Sequence, residues 1–204
     1  MAYLVIVRHG LSQANLDGIV AGHMDTPLTE KGWEQARETA QLLDGKTFDS
    51  AHASTLQRAR HTLDEIIAEL QLHIPVFAND DLKERSWGDI EGRFADNRDG
   101  KYSQEEIDTW FTWEIEPPSG ESFAQVSTRV VGYFERVILP ELKAGKNILL
   151  VGHNGMLKTL RRHLEELPHS ETNSLGFKNA EARLYDFDSS GNLVSISSLE
   201  GKNN

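Results

Sequence analysis

The stretch Tyr3-Leu4-Val5-Ile6-Val7-Arg8-His9-Gly10 decides the fold of this chain and points to its site. Its first five residues are apolar without alternation, which is typical of a strand that is covered on both faces of a sheet. An arginine and a histidine follow side by side at the end of that strand. The pair is a poor choice for a core. It suits a site for a doubly charged anion in which the imidazole is the nucleophile.

The composition is that of a globular protein with an acidic balance. The 204 residues suffice for one sizeable domain, and 38% of them are hydrophobic and 26% charged. The formal net charge of -11 disfavours nucleic acid and anionic membranes as partners, so a phosphate substrate would need local cations in a cleft. With zero cysteines there is no thiolate nucleophile and no disulfide framework.

The sequence carries no signal for a membrane or for export. No segment approaches the roughly 20 apolar residues of a membrane span. The residues at the N-terminus show no basic region followed by an apolar run, as a signal peptide would have. We therefore expect a cytoplasmic protein without a membrane partner.

Strands and helices alternate along most of the chain. Apolar runs predict four single strands and a late hairpin of two, at residues 3–7, 48–53, 74–77, 147–151, 182–187 and 193–198. This order predicts an α/β three-layer sandwich, in which a mostly parallel central sheet carries an antiparallel edge strand and helices cover both faces. We expect a single domain over residues 1–204, with a lid or insertion at about 93–121.

Several residues mark the expected ends of helices. Thr29, Ser54 and Ser122 each stand where an N-cap side chain belongs, and the spacing of Ser54 and Gln57 is that of a capping box. Pro140 predicts a kink or a stop in the helix that follows Ser122.

The unusual polar residues follow separate strands of the predicted sheet. Arg8 and His9 come after the first strand, Arg58 opens the helix after the second, and His153 follows the strand at 147–151. Ligands bind outside the carboxyl ends of parallel strands, so these side chains should meet. Cations gathered there would repel one another unless an anion is bound. The sequence thus predicts an anion site at this edge of the sheet.

Four motifs together resemble the histidine phosphatase superfamily, the phosphoglycerate mutase-like fold. They are Arg8-His9-Gly10, Ser54-x-x-x-Arg58-Ala59, Glu84 and Gly152-His153, and the resemblance covers essentially the whole chain. It implies that His9 is the nucleophile and forms a phosphohistidine. It implies further that Arg8, Arg58 and His153 hold the phosphoryl oxygens. Glu84 would serve as general acid and then as general base.

Physical chemistry supports these implied roles. A neutral imidazole is a good attacking group for a phosphate monoester, which repels anionic nucleophiles, and neighbouring cations keep His9 unprotonated. The guanidinium forks of Arg8 and Arg58 match phosphoryl oxygens, and positioning with charge stabilisation is most of what phosphoryl transfer needs. The leaving alkoxide needs a proton, which Glu84 would supply.

Further residues are candidates for substrate contacts. Ser12 and Asn15 match polar positions of the family's first loop, and Gly22 lies in the same glycine-containing loop. Backbone N–H groups near Asn154, at the start of a helix, could donate to the phosphoryl group. Trp87 would belong to an apolar wall of the pocket, together with Trp110, Phe111 and Trp113.

A metal site is the alternative to this interpretation. His9, His153 and Glu84 could form a set of two histidines and one carboxylate. Two arginines beside that set oppose a divalent cation, so we expect no metal.

The chain departs from the mutases of this family where they carry basic residues for the substrate carboxylate. Their paired arginines would fall at about Phe111-Thr112 and their lysine near Ala95, and Arg93, Arg98 or Lys101 do not align simply as substitutes. A mutase must hold its substrate and exclude water while the phosphoryl group returns. Without the clamp, water becomes the natural acceptor.

We therefore predict a phosphatase that hydrolyses a small phosphomonoester without a cofactor, acting as a monomer or homodimer. The first alternative is a phosphoglycerate mutase, which would depend on 2,3-bisphosphoglycerate. The second is a non-catalytic phosphate-binding protein on the same fold.

Overall fold

The structure is a computed structural model that describes residues 1–199. Six strands form one sheet, and they are β1 Ala2–Arg8, β2 Ser50–Ser54, β3 Val76–Asn79, β4 Ile148–Gly152, β5 Ala182–Phe187 and β6 Leu193–Leu199. Their order across the sheet is β3-β2-β4-β1-β5-β6. The first four strands are parallel to one another, and the hairpin of β5 and β6 adds an antiparallel edge beside β1. The predicted fold class is confirmed.

Seven helices connect these strands within the described residues. They are α1 Gln13–Leu16, α2 Glu30–Leu42, α3 Gln57–Glu69, α4 Gln104–Trp110, α5 Phe123–Tyr133, α6 Leu139–Lys143 and α7 Asn154–Leu164. No helix among residues 1–199 is both long enough and apolar enough to cross a membrane.

Both faces of the sheet are covered, which explains the apolar run that opens the chain. On one face Leu4 and Ile6 of β1 pack with side chains of α5 and α7. On the other, Val5 and Val7 pack with side chains of α2 and α3. These four residues of β1 are fully buried. A strand that alternated between polar and apolar residues would have placed polar groups in one of the two cores.

Two of the three predicted N-caps are confirmed. The Thr29 hydroxyl accepts a hydrogen bond from the Gly32 N–H at 3.0 Å, and Ser122 forms a capping box with Gln125. The cap predicted at Ser54 is wrong, because pairing with β3 keeps Ser54 in the strand. Helix α3 begins only at Gln57, without a side-chain cap.

The chain stays helical on both sides of Pro140, but the type of helix changes before it. A π-helical turn over Phe134–Ile138 joins α5 to α6, and Pro140 lies in the first turn of α6. Proline has no N–H to donate, and a wide turn tolerates the missing hydrogen bond. The sequence predicted a kink or a stop; the structure instead has a π-helical turn before Pro140, and the helical path continues to Lys143.

The loop after β1 and the segment after β3 meet above the carboxyl edge of the sheet. The Val20 N–H donates to the Arg93 carbonyl at 2.8 Å, and Ile19 and Phe94 form an isolated antiparallel bridge. Gly10 lets the chain leave β1 in contact with α2, because an added Cβ would lie 2.3 Å from the Gly32 carbonyl oxygen. These contacts enclose a cavity at the point where the strands end.

Candidate active site

The register of the central strands brings the two predicted site histidines together. Arg8 pairs with Gly152 across β1 and β4, and the His9 N–H donates to the Gly152 carbonyl at 3.0 Å. As a result the rings of His9 and His153 lie with their centroids 5.0 Å apart. The sequence predicted this meeting from the unbroken apolar runs of the two strands.

The His9 ring is held in one tautomer. Its Nδ1 lies 2.7 Å from the Gly10 carbonyl oxygen. A carbonyl oxygen can only accept, so Nδ1 carries the hydrogen and Nε2 keeps a free lone pair. Burial, followed by the charges of Arg58 and Arg8, lowers the pKa of His9 well below its ordinary value of 6.5. The ring therefore offers an unprotonated nitrogen at neutral pH.

His153 is a fully buried imidazole with no internal partner. Neither ring nitrogen makes a hydrogen bond to any residue in the described part of the chain. Burial, then Arg58 and His9, lower the pKa of His153 well below 6.5. A buried polar group without a partner is costly. A ligand oxygen in the neighbouring cavity would supply the missing bond.

The two buried histidines should make the folded protein sensitive to acid. Below pH 6.5 the unfolded chain binds protons at these rings while the folded site excludes them, so acidification favours unfolding. Each ring contributes a slope of up to about 1.4 kcal/mol per pH unit. In denaturant titrations at pH 7.5, 6.5 and 5.5, the loss of unfolding free energy between pH 7.5 and pH 5.5 should be smaller for His153→Asn than for the wild type, by about 1.4 kcal/mol in total.

The exposed His73 provides the control for this measurement. His73→Ala should retain the wild-type dependence of unfolding free energy on pH. Parallel curves for His153→Asn and the wild type would show that His153 is not held neutral by the fold.

Buried Arg58 and half-buried Arg8 are held at the same edge by backbone carbonyls. Arg58 donates to the carbonyl of Gly22 at 2.8 Å and to that of Met24 at 2.7 Å. Arg8 donates to the Phe177 carbonyl at 2.6 Å. Burial lowers the pKa of both groups, and the nearby Glu84 charge opposes that shift. Both residues line the cavity.

Glu84 lies at the start of α7. Its Oε1 accepts from the N–H groups of Arg85 at 2.8 Å and Met156 at 3.2 Å, and its Oε2 accepts from Gly155 at 3.1 Å. A carboxylate is favoured at the N-terminus of a helix. The fit is close, because a Cβ on Gly155 would lie 2.4 Å from Glu84 Oε1. Glu84 is thus fixed by backbone groups beside the helix that follows His153.

Arg8, His9, Arg58 and Glu84 form the polar end of a cavity of about 300 Å³. His153 is not among the lining residues, and it lies next to the cavity against the ring of His9. The rest of the cavity is bounded mainly by what we call the apolar wall, formed by Ile19, Val20, Ala21, Trp87, Ile90, Phe94, Ala95, Ile107, Trp110 and Phe111. Trp113, expected in this wall, is not in it, since it stacks on His169 with centroids 4.1 Å apart. The aliphatic members of the wall carried no signal in the sequence that set them apart from core residues.

The structure places the predicted substrate residues unequally. Asn15, Gly22, Trp87 and Asn154 line the cavity. Ser12 does not, because it is fully buried and its hydroxyl caps α1 and donates to Asn15 Oδ1 at 3.1 Å. Its contact to the cavity is therefore through Asn15.

Sequence reasoning missed the arginines that support Glu84. Arg129 of α5 donates to the carbonyls of Lys83 and Glu84 at 2.7 and 2.8 Å, and its guanidinium also pairs with Glu121 at 2.8 Å. Arg85 is fully buried, and its guanidinium carbon lies 4.4 Å from the ring centroid of Trp87. Burial lowers the pKa of Arg85 to about 10. Neither role is visible in the sequence, because the partners lie on distant segments.

An α/β fold that gathers imidazole and guanidinium groups at the carboxyl edge of its sheet fits the class of phosphoryl-transfer enzymes. Within residues 1–199 no group of three or more metal-ligating side chains is placed to hold a metal ion.

Comparison with known proteins identifies the family within that class. The model of the histidine phosphatase superfamily, branch 1, matches residues 4–198. The 2,3-bisphosphoglycerate-dependent phosphoglycerate mutase of Cytophaga hutchinsonii is 36% identical over 98% of this chain and 94% of its own. The mutase of the same name from Parvibaculum lavamentivorans is 35% identical over 94% and 93%. This chain belongs to the histidine phosphatase superfamily, as its motifs predicted.

A solved structure of similar fold carries a different activity in its name. The alpha-ribazole phosphatase from Shigella flexneri is 31% identical and superimposes with a TM-score of 0.84, over 99% of this chain and 100% of its own. The chain is therefore an enzyme whose relatives include both mutases and phosphatases. The residues that line the cavity must therefore be used to decide which of the two activities this chain has.

Proposed function

We propose that this enzyme is a phosphatase that hydrolyses a small phosphomonoester with an apolar or ring-shaped leaving portion. The single observation that carries the proposal is the apolar wall of the cavity. Ala95 and Phe111 belong to that wall. The resemblance places the basic residues of the mutases at about these two positions. Apolar side chains there would contact a hydrocarbon portion favourably and would leave a carboxylate without a partner.

The proposed reaction begins with attack by His9 on phosphorus. The lone pair on Nε2 forms the new N–P bond, and the bond between phosphorus and the ester oxygen breaks. The dianionic ester bound beside Glu84 favours the protonated form of this carboxyl group, and Glu84 gives that proton to the departing oxygen. Arg8, Arg58 and His153 hold the remaining phosphoryl oxygens as charge moves among them.

The second step returns the enzyme to its starting state. Glu84, now ionised, removes a proton from a water molecule, and that water attacks phosphorus. The N–P bond breaks, its electron pair returns to His9 Nε2, and inorganic phosphate leaves. The step needs no cofactor and no metal.

The mutase is the second candidate. Besides the names of the relatives, the presence of Arg93 in the cavity favours it. Of the described residues that line the cavity, Arg93 is the one basic residue outside the polar end. Its Nη1 already pairs with Asp99 at 2.9 Å. 2,3-Bisphosphoglycerate carries a second phosphoryl group and a carboxylate, which need several cations. The apolar wall does not fit it.

A pair of assays separates the two candidates. With a chelator present, we expect the enzyme to release phosphate from phenyl phosphate. Its kcat/KM for this substrate should be at least about tenfold above that for 3-phosphoglycerate, because the phenyl ring packs against the apolar wall. Interconversion of 2- and 3-phosphoglycerate in the presence of 2,3-bisphosphoglycerate should be slower still. Fast interconversion would assign the mutase instead. No turnover of any phosphate ester would leave a phosphate-binding protein.

We also propose that residues 93–121 act as a lid, in one domain with the rest of the chain. Ile107 and Trp110 of α4 support this, since they cover the cavity from that segment. The cytoplasm as location, and a monomer or homodimer as the active form, are proposed from the sequence expectations above.

A further inference from the structure

We propose that His23 is a positioning residue that ties the general acid to the phosphoryl-binding arginine. The inference rests on the proposed function, in which Glu84 is the acid. His23 stands between Gly22 and Met24, whose carbonyls hold the two terminal nitrogens of Arg58 at 2.8 and 2.7 Å. The side chain of His23 contacts Glu84 rather than Arg58, and its Nε2 lies 2.8 Å from the Glu84 carbonyl oxygen. One three-residue segment thus contacts both groups.

The direction of this hydrogen bond follows from its acceptor. The Glu84 carbonyl can only accept, so His23 Nε2 carries the hydrogen. The backbone of His23 is fixed as well, because its N–H donates to Glu91 Oε1 at 3.0 Å. The same oxygen accepts from the Trp87 N–H at 2.9 Å. Hydrogen bonds from both its backbone and its side chain therefore hold His23 in place as a donor to Glu84.

The Glu84 backbone is held from two sides. The Arg129 guanidinium donates to its carbonyl at 2.8 Å from α5, and His23 donates to the same oxygen from the loop after β1. Arg129 of α5 and the N–H groups of Gly155 and Met156 in α7 tie Glu84 to the body of the protein. Among residues 1–199, the bond from His23 is the direct hydrogen bond between Glu84 and the segment that orients Arg58. Loss of that bond would leave both groups in the site but would loosen their spacing.

Misplacement of an acid by a fraction of an ångström affects proton transfer most. The effect should therefore depend on how much the leaving group needs a proton. Phenoxide leaves poorly without one, whereas 2,4-dinitrophenoxide leaves without help. The constant kcat/KM reports the transfer to His9, so it isolates the step in which Glu84 is the acid.

The test compares His23→Ala and His23→Gln on these two aryl phosphates. We expect His23→Ala to lower kcat/KM about tenfold for phenyl phosphate and less than about threefold for 2,4-dinitrophenyl phosphate. His23→Gln retains a side-chain N–H donor and should recover most of the loss. An equal loss on both substrates, or no recovery with glutamine, would assign His23 a structural role and overturn the inference.

Glu84→Gln in the same assay separates this inference from the proposed function. If that variant shows the leaving-group dependence and His23→Ala does not, the positioning role fails while the acid role stands. If neither shows it, the acid role of Glu84 fails, and the inference about His23 fails with it. His61→Ala is the matched control, since His61 stacks on Trp33 away from the cavity.

Discussion

Replacing His9 with alanine is expected to abolish catalysis, with a loss in kcat/KM for phenyl phosphate of at least about 10,000-fold. The imidazole supplies the bond to phosphorus, and of the described residues that line the cavity His9 is the one histidine. The variant should also fail to form a phosphoenzyme. Rapid quenching into alkali, which preserves phosphohistidine, followed by detection of protein-bound phosphate, measures this directly.

Two controls make the loss interpretable. His73→Ala changes an exposed histidine and should keep wild-type turnover and wild-type phosphoenzyme. The thermal midpoint of His9→Ala shows whether the variant is folded, since removal of a buried ring leaves a void. Substantial turnover by a folded His9→Ala protein would contradict covalent catalysis through His9.

Replacing Glu84 with glutamine should lower kcat/KM for phenyl phosphate by roughly 100- to 10,000-fold. The amide has no acidic proton for the leaving oxygen. The loss should be much smaller for 2,4-dinitrophenyl phosphate, which needs no proton. A plot of kcat/KM against leaving-group basicity should therefore be steeper for the variant than for the wild type.

The geometry at Glu84 allows the chemical effect to be separated from a displacement. Glutamine can keep the oxygen that accepts from Arg85 and Met156, and it loses the bond from the Gly155 N–H. A displaced side chain that held no catalytic proton would slow both substrates alike. Glu69→Gln, on the exposed end of α3, is the control for loss of a carboxylate. A flat leaving-group dependence in Glu84→Gln would remove Glu84 from the role of acid.

The meeting of Arg8, His9, Arg58 and His153 could be predicted because it depends on few assumptions. Each residue follows a strand or opens the helix after one, and parallel strands end at one edge of the sheet. The unbroken apolar runs of β1 and β4 identified them as central strands. The errors arose where local patterns compete with pairing. Ser54 has the spacing of a cap, but ladder pairing with Asn79 holds it in β2.

The aromatic residues show the same limit. Trp110 and Trp113 lie three residues apart, and both were expected in the pocket wall. Helix α4 ends at Trp110, so Trp113 lies outside the helix and need not share a helix face with Trp110. It lies against His169 and Arg162, with the guanidinium carbon of Arg162 4.6 Å from its ring centroid. The end of one short helix decided which of the two faces the substrate cavity.

The sequence by itself determined the α/β fold, the sheet edge that carries the site and the family, because apolar periodicity and motif order are properties of the chain alone. Tertiary structure alone decided the apolar wall and the link from His23 to Glu84. The wall combines residues 19–21 with residues 87–111, and the link crosses 61 positions of the chain. Such contacts depend on how distant segments pack, and no local pattern encodes them.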